Sequence, residues 1–118
     1  MALASAAAEN AALNGLDGTG STNTIGFVSL HTASPSTTGA NEYAGVTRQA
    51  CSWNAASGGA KTNSSSLTFT TSGASAVTHV GTWSLVSSGN YAIGAALASS
   101  VTAASITVAA GAISLSAS

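Results

Sequence analysis

Leu, Ile, Val and Phe together supply only 21 of the 118 residues, while Ala, Ser, Thr and Gly supply 75. Such a chain can fill one thin core, roughly one layer between two sheets, and must pack largely through methyl groups and hydroxyls. So few large apolar side chains would read as disorder if the net charge were high. Here the net charge is −1, self-repulsion does not expand the chain, and 15 Thr and 7 Val favour strand. At this length the prior is a single domain, residues 1–118, burying about two-thirds of its unfolded surface. With so sparse a core, association with copies of itself is the expected source of further stability.

Charge narrows the range of functions. Only Glu9, Asp17, Glu42, Arg48 and Lys61 are formally charged, where an ordinary domain is about a quarter charged. Two cations thirteen residues apart make no basic face, so no nucleic-acid partner is expected. No run approaches the roughly 20 apolar residues of a membrane span, and no membrane partner is expected either. Met1 to Leu16 lacks the basic start and continuous apolar stretch of a secretory leader, being interrupted by Glu9 and Asn10. Cys51 is the single cysteine, which excludes an internal disulfide and any multi-cysteine metal site. The expectation is a cytosolically made chain with an inert thiol.

Along the chain, Ala content and the spacing of Leu3, Ala6, Leu13 and Leu16 predict a short N-terminal helix over residues 1–16, ending near Gly15 and Gly18. From residue 24 the period changes to two. Ile25, Phe27, Ser29 and His31 alternate with Gly26, Val28 and Leu30, a strand buried on both faces. Ala33 to Gly45 contains the only proline, Pro35, and reads as a long ordered surface loop of the kind that contacts partners. Thr47 to Asn54 reads as a strand carrying Gln49, Cys51 and Trp53 on one face. Ala55 to Asn63 reads as a turn region around Gly58-Gly59. Further strands are marked by Leu67 and Phe69, by Val77 to Leu85, by Tyr91 to Leu97, and by Ile106 and Val108, with Ile113 and Leu115 at the end. Ser87 to Asn90 is a hairpin-type connection. The fold class is therefore mainly β: a single antiparallel β-sandwich of about six or seven short strands over residues 24–116, with the helix in front. The Ala-rich end is alternatively an extended arm.

Candidate chemistry is sparse. His31 and His79, with Glu42 or Asp17, could form a metal site or a base, yet both histidines fall in strand patterns in phase with Phe27 and Trp83. Packing histidines are the expectation, and no catalytic, cofactor-binding or metal-binding residue is assigned. Gly73 to Val77 fails as a nucleophile elbow, and Gly58 to Thr62 lacks the glycines of a phosphate loop. Asn63-Ser64-Ser65 matches a glycosylation acceptor, without meaning outside a secretory route. Trp53, Trp83 and Tyr91 could stack on sugar rings, but a domain this poor in bulk needs its tryptophans inside. A salt bridge between Glu42 and Arg48, within the chain or across a subunit boundary, would be informative because charges are so few.

Ser29-Leu30-His31-Thr32-Ala33-Ser34-Pro35, followed by Thr38-Gly39-Ala40-Asn41-Glu42, resembles a pattern of small virion proteins of tailed bacteriophages. In these, a strand ending S-L-H-T-A-x-P leads to a T-G-A-N-E loop, then to Y-A-R-Q-A and a Trp. Here Tyr43-Ala44 and Arg48-Gln49-Ala50 are separated by Gly45-Val46-Thr47, with Trp53 behind. Thr78-His79-Val80-Gly81-Thr82-Trp83-Ser84 is similar to the T-H-V-G-x-W-S strand of the same proteins. The resemblance spans residues 25 to 97 and implies a structural role in the virion, as tail fibre or minor structural protein, with no catalytic residues. Within that class, the lack of an internal repeat or heptad run favours a capsid decoration or minor capsid protein. It would sit on the outer shell as a small homo-oligomer, a trimer by preference, bound to the major capsid protein or another virion protein. A tail-fibre or receptor-binding module is the alternative, and a tail-tube or neck subunit a more distant one.

Overall fold

The computed structural model describes residues 25–116, so the expected helix over 1–16 and the candidate Asp17 lie outside the described residues. Eight strands follow in order: β1 (Phe27–His31), β2 (Gln49–Ala50), β3 (Ala60–Thr62), β4 (Leu67–Thr70), β5 (Val77–Trp83), β6 (Tyr91–Val101), β7 (Ser105–Val108) and β8 (Ser114–Ser116). The chain is mainly β and every strand pair is antiparallel. Hydrogen bonding divides the strands among three sheets. One has four strands in the order β2-β1-β5-β6, and β3-β8 and β4-β7 form two-stranded ladders.

The count of eight corrects the expected six or seven, and the reason is β3. It lies inside the segment read as a turn, directly after Gly58 and Gly59, whose φ values of +61° and +80° make the turn itself. Its central residue is Lys61, only 1 % exposed, with Nζ donating to the Asn54 carbonyl at 2.8 Å. A buried lysine in a three-residue strand leaves no hydropathy signal. Conversely, the strand expected from Thr47 to Asn54 contracts to Gln49–Ala50, with Trp53 in an isolated bridge to Asn63.

Where hydrophobic alternation is regular, pairing follows it. Leu67 and Phe69 of β4 face inward, and register puts them opposite Val108 and Ile106 of β7. The intervening Thr68 and Thr107 face out with their hydroxyls 3.4 Å apart. β1 is buried along both faces, as its sequence requires, and it is an interior strand of its sheet, with β2 and β5 on either edge. The core joins Val28, Leu30, Phe69, Val80, Ile106 and Leu115 with Ile25, Tyr43 and Trp53, so all three sheets contribute. The C-terminal segment supplies β8, whose Leu115 is fully buried opposite Lys61.

Candidate functional site

The residues singled out by the sequence converge at one end of the four-stranded sheet. β1 ends at His31, the chain leaves through a loop to Glu42, and an isolated bridge between these two residues closes that loop. Thr32 N–H donates to Asn41 O (3.1 Å) and Tyr43 N–H to Leu30 O (2.8 Å). Inside the loop Gly39 and Ala40 both donate to the Pro35 carbonyl at 2.9 Å, and Asn41 Nδ2 donates to Ser34 O. The loop is therefore an ordered closed turn, built on left-handed Ser36, Gly39 and Asn41.

Arg48 ties this loop to the β5–β6 hairpin. Its Nε and Nη2 donate to the two carboxylate oxygens of Glu42 at 2.8 and 3.0 Å. Its Nη1 donates to the carbonyls of Leu85 and Ser88 at 3.1 and 2.7 Å, inside the hairpin turn. The guanidinium also lies 3.7 Å from the centre of the Trp83 ring. A planar fork with five donors suits this combination of bidentate and stacked contacts; a lysine could not reproduce it.

Beneath Arg48 runs a buried polar chain. Trp83 Nε1–H donates to Ser29 Oγ at 2.8 Å. Ser29 Oγ is 2.6 Å from His31 Nε2, and His31 Nδ1 is 2.7 Å from the Ala40 carbonyl. A carbonyl can only accept, so Nδ1 carries the proton; in the neutral imidazole Nε2 then accepts from the serine hydroxyl. Burial pushes the His31 pKa below its ordinary value, with Arg48 and His79 adding to the shift, while the Ala40 hydrogen bond and Glu42 oppose it.

Glycine fits this packing where nothing larger would. A Cβ on Gly81 would stand 2.6 Å from His31 Nε2 and 3.0 Å from Ser29 Oγ. One on Gly39 would stand 2.5 Å from the Trp83 ring, at a φ of +78°. Tyr91 completes the aromatic contact, edge-on to Trp83 with ring centres 5.3 Å apart.

Both histidines are opposite each other across β1 and β5, but His31 is saturated and His79 Nδ1 pairs with Thr78 Oγ1 at 2.8 Å. Among the described residues no three His, Cys, Asp or Glu side chains gather where they could hold a metal ion. Trp53 and Trp83 are 8 and 9 % exposed, and Trp53 Nε1–H donates to Ile25 O. Neither ring face is therefore open to a sugar. Asn63 of the acceptor-like motif is fully buried; its amide donates to Ser65 O and Ala109 O and accepts from Ile113 N–H. Cys51 is buried. Two of the open surface hollows among the described residues border these elements. One, about 520 Å³, runs along Glu42–Arg48 beside Val86 and Ser87. The other, about 410 Å³, lies between Ser34–Thr37, His79 and Tyr91–Ala96.

Sequence reading placed Glu42, Arg48, His31 and Trp83 among the residues of interest but missed what joins them. Ser29, Gly81 and Gly39 were legible only as motif letters. The motifs of the phage-like resemblance are thus a packing code, with Ser29, His31, Gly39, Glu42, Arg48, Gly81 and Trp83 meeting at one brace. No curated protein matches the chain. The family model described as Podophage GP4 fiber I protein gp80 matches residues 3–116, nearly the whole length, and the chain belongs to that bacteriophage fibre-protein family.

Proposed function

We propose that this chain is a non-enzymatic structural subunit of a bacteriophage virion, placed in the tail fibre. The family match over residues 3–116 carries the reading. The chemistry of the brace supports it: His31, Arg48 and Glu42 are spent on internal hydrogen bonds. Buried tryptophans favour a structural segment of the fibre over a receptor-contacting surface, which would need exposed rings. Capsid decoration is the second reading, favoured by a sequence without the heptads or repeats of a shaft.

In either position, contacts to other virion proteins and to copies of itself would rest on burial of small apolar groups and on backbone and hydroxyl hydrogen bonds. With so little charge, attachment should change weakly between about 0.05 and 0.5 M salt. Cryo-electron microscopy of intact particles tests the assignment. Density for this chain along or at the base of the tail fibres supports it, and density over the capsid shell would replace it with decoration.

A further inference from the structure

We infer that the loop of residues 32–41 is a flap that acid releases: protonation of His31 lifts it from the four-stranded sheet while the strand pairings persist. This goes beyond the structural reading above and does not depend on where in the virion the chain sits.

Beneath the loop the sheet is floored by small residues. Register places Ser29 opposite Gly81 and Gly81 opposite Gly94, with His31 opposite His79 and His79 opposite Ala96. The loop fills the space above them: a Cβ on Gly94 would stand 2.7 Å from Pro35 Cγ, and Gly39 packs on Trp83 and Tyr91. Pro35 and Gly39 are buried, and the rest of residues 32–41 are exposed. The hydrogen bonds of the loop turn inward. Gly39 and Ala40 donate to the Pro35 carbonyl, Asn41 Nδ2 to the Ser34 carbonyl, and Thr32 N–H to the Asn41 carbonyl. Among the described residues, the hydrogen bond that ties this body to the sheet runs from His31 Nδ1 to the Ala40 carbonyl. The loop is therefore a self-bonded unit hinged at Thr32 and Asn41, held down by one hydrogen bond and two small buried residues. Such a unit can open without unpairing a strand.

His31 is where a proton acts. Its ring is fully buried, and the groups around it suit the neutral form. On β1, Ser29 Oγ stands 2.6 Å from Nε2 and already receives the Trp83 Nε1–H of β5. A proton on Nε2 ends the bond from the serine hydroxyl. The ring has no space to retreat, since even a methyl group on Gly81 would meet it. Ahead of β2, Arg48 is a fixed cation, and both carboxylate oxygens of Glu42, at the base of the loop, are committed to it. His79, across on β5, opposes a second charge, and Tyr91 on β6 stays neutral because burial pushes its pKa up. A buried imidazolium without hydration is costly, and the hold on the flap is slight. The ring gains water by lifting it. Burial keeps the His31 pKa below the ordinary 6.5, against the opposing pull of Ala40 and Glu42. The flap is thus closed at neutral pH and opens as pH falls through the folded-state pKa. Opening uncovers the Trp83 and Tyr91 rings.

The test is nuclear magnetic resonance of the full chain between about pH 7.5 and about pH 5, following the His31 ring titration and the exchange of the two indole N–H groups. Trp83 Nε1–H lies under the flap on Ser29, whereas Trp53 Nε1–H is held by the Ile25 carbonyl in the core. After correction for the intrinsic effect of pH, Trp83 protection should fall at least about tenfold, as a local opening gives. Its midpoint should be that of the His31 titration. The Trp53 indole and the amides of β4 should keep their protection. His31→Asn, which cannot titrate, should hold Trp83 protection level across the range, and His79→Gln should leave the transition in place. Trp83 protection that ignores pH overturns the proposal. So does loss of Trp83 and Trp53 protection together, which is global unfolding, or a transition that survives His31→Asn. A His31 that ionises with Trp83 still protected overturns it too, the imidazolium then being accommodated in place. Should His31→Asn fail to fold, coincidence of the two midpoints in the unsubstituted chain still decides. None of these outcomes bears on the position of the chain in the virion, which the particle density reads separately.

Discussion

The brace around Arg48 and the β4–β7 ladder solve the same problem with opposite means. Around Arg48, one ion pair, one cation–π contact and a chain of three buried side chains, Trp83, Ser29 and His31, ending on the Ala40 carbonyl, hold a loop and a hairpin together. In the ladder, Leu67, Phe69, Ile106 and Val108 are held by alternation alone, with threonines outside. The difference teaches where sparse bulk is affordable. A regular ladder needs only a few large residues because its backbone pairs with itself. A ten-residue loop has no such ladder, and its backbone must be met by specific side chains.

Substitution of the largest residue on each side should cost about the same and yet differ in kind. Trp83→Ala and Phe69→Ala should each lose about 3–5 kcal/mol in denaturant unfolding, by loss of buried area and the cavity left. Hydrogen exchange separates them. Trp83→Ala should deprotect residues 32–42, because Ser29, Arg48 and Gly39 all rest on that ring. Phe69→Ala should leave that loop protected. Equal deprotection of the loop in both variants would mean that the brace is not a separate unit.

Arg48→Ala comes next, at about 3 kcal/mol, because it strands the Glu42 carboxylate and two hairpin carbonyls together. Glu42 is 29 % exposed and partly solvated, so Glu42→Gln should cost only about 1 kcal/mol. Arg48→Lys should recover less than half of the loss, since the fork and the stacking are what the site uses. Full rescue by lysine would reduce the brace to a simple charge effect.

A smaller contrast comes from glycines. Gly81→Ala should destabilise by about 1–3 kcal/mol, because its methyl group meets His31 Nε2 and Ser29 Oγ inside a filled space. Gly111→Ala meets nothing within 4 Å and pays only for its left-handed φ of +80°, about 1–2 kcal/mol. If Gly111→Ala proved the costlier by thermal unfolding, backbone strain rather than packing would set glycine usage in this chain.

These same residues mark how far the sequence could be read. Period-two alternation located β1, β4, β5, the start of β6 and β7, because each strand has one or both faces in the core. The closed loop, the hairpin at Ser87 to Asn90 and the burial of both tryptophans were likewise legible, from turn residues and from the scarcity of bulk. The distribution of strands among three sheets was not, since β3 pairs with β8 and β4 with β7 across long separations that no local pattern encodes. Nor was the brace. Ser29, Gly81 and Trp83 are ordinary letters until β1 and β5 align in register, with Ser29 opposite Gly81. Only then do a hydroxyl, an absent side chain and an indole N–H make one site for an imidazole.

That imidazole should give the brace a pH dependence that the hydrophobic ladder lacks. In the folded chain His31 titrates below its unfolded value of 6.5, chiefly because it is buried. Between those two values the unfolded chain binds the extra proton, so its contribution to stability is complete above pH 6.5 and falls as pH drops toward the folded pKa. Protonation at Nε2 would remove the acceptor of the Ser29 hydroxyl, which already receives the Trp83 N–H, and Gly81 leaves no room for the ring to move. The melting temperature should therefore decline between pH 7.5 and 5. His31→Asn, which can still donate to the Ala40 carbonyl but cannot titrate, should start lower and decline less, so that the two curves converge. Parallel curves would assign the acid sensitivity elsewhere and leave the neutral histidine as packing alone.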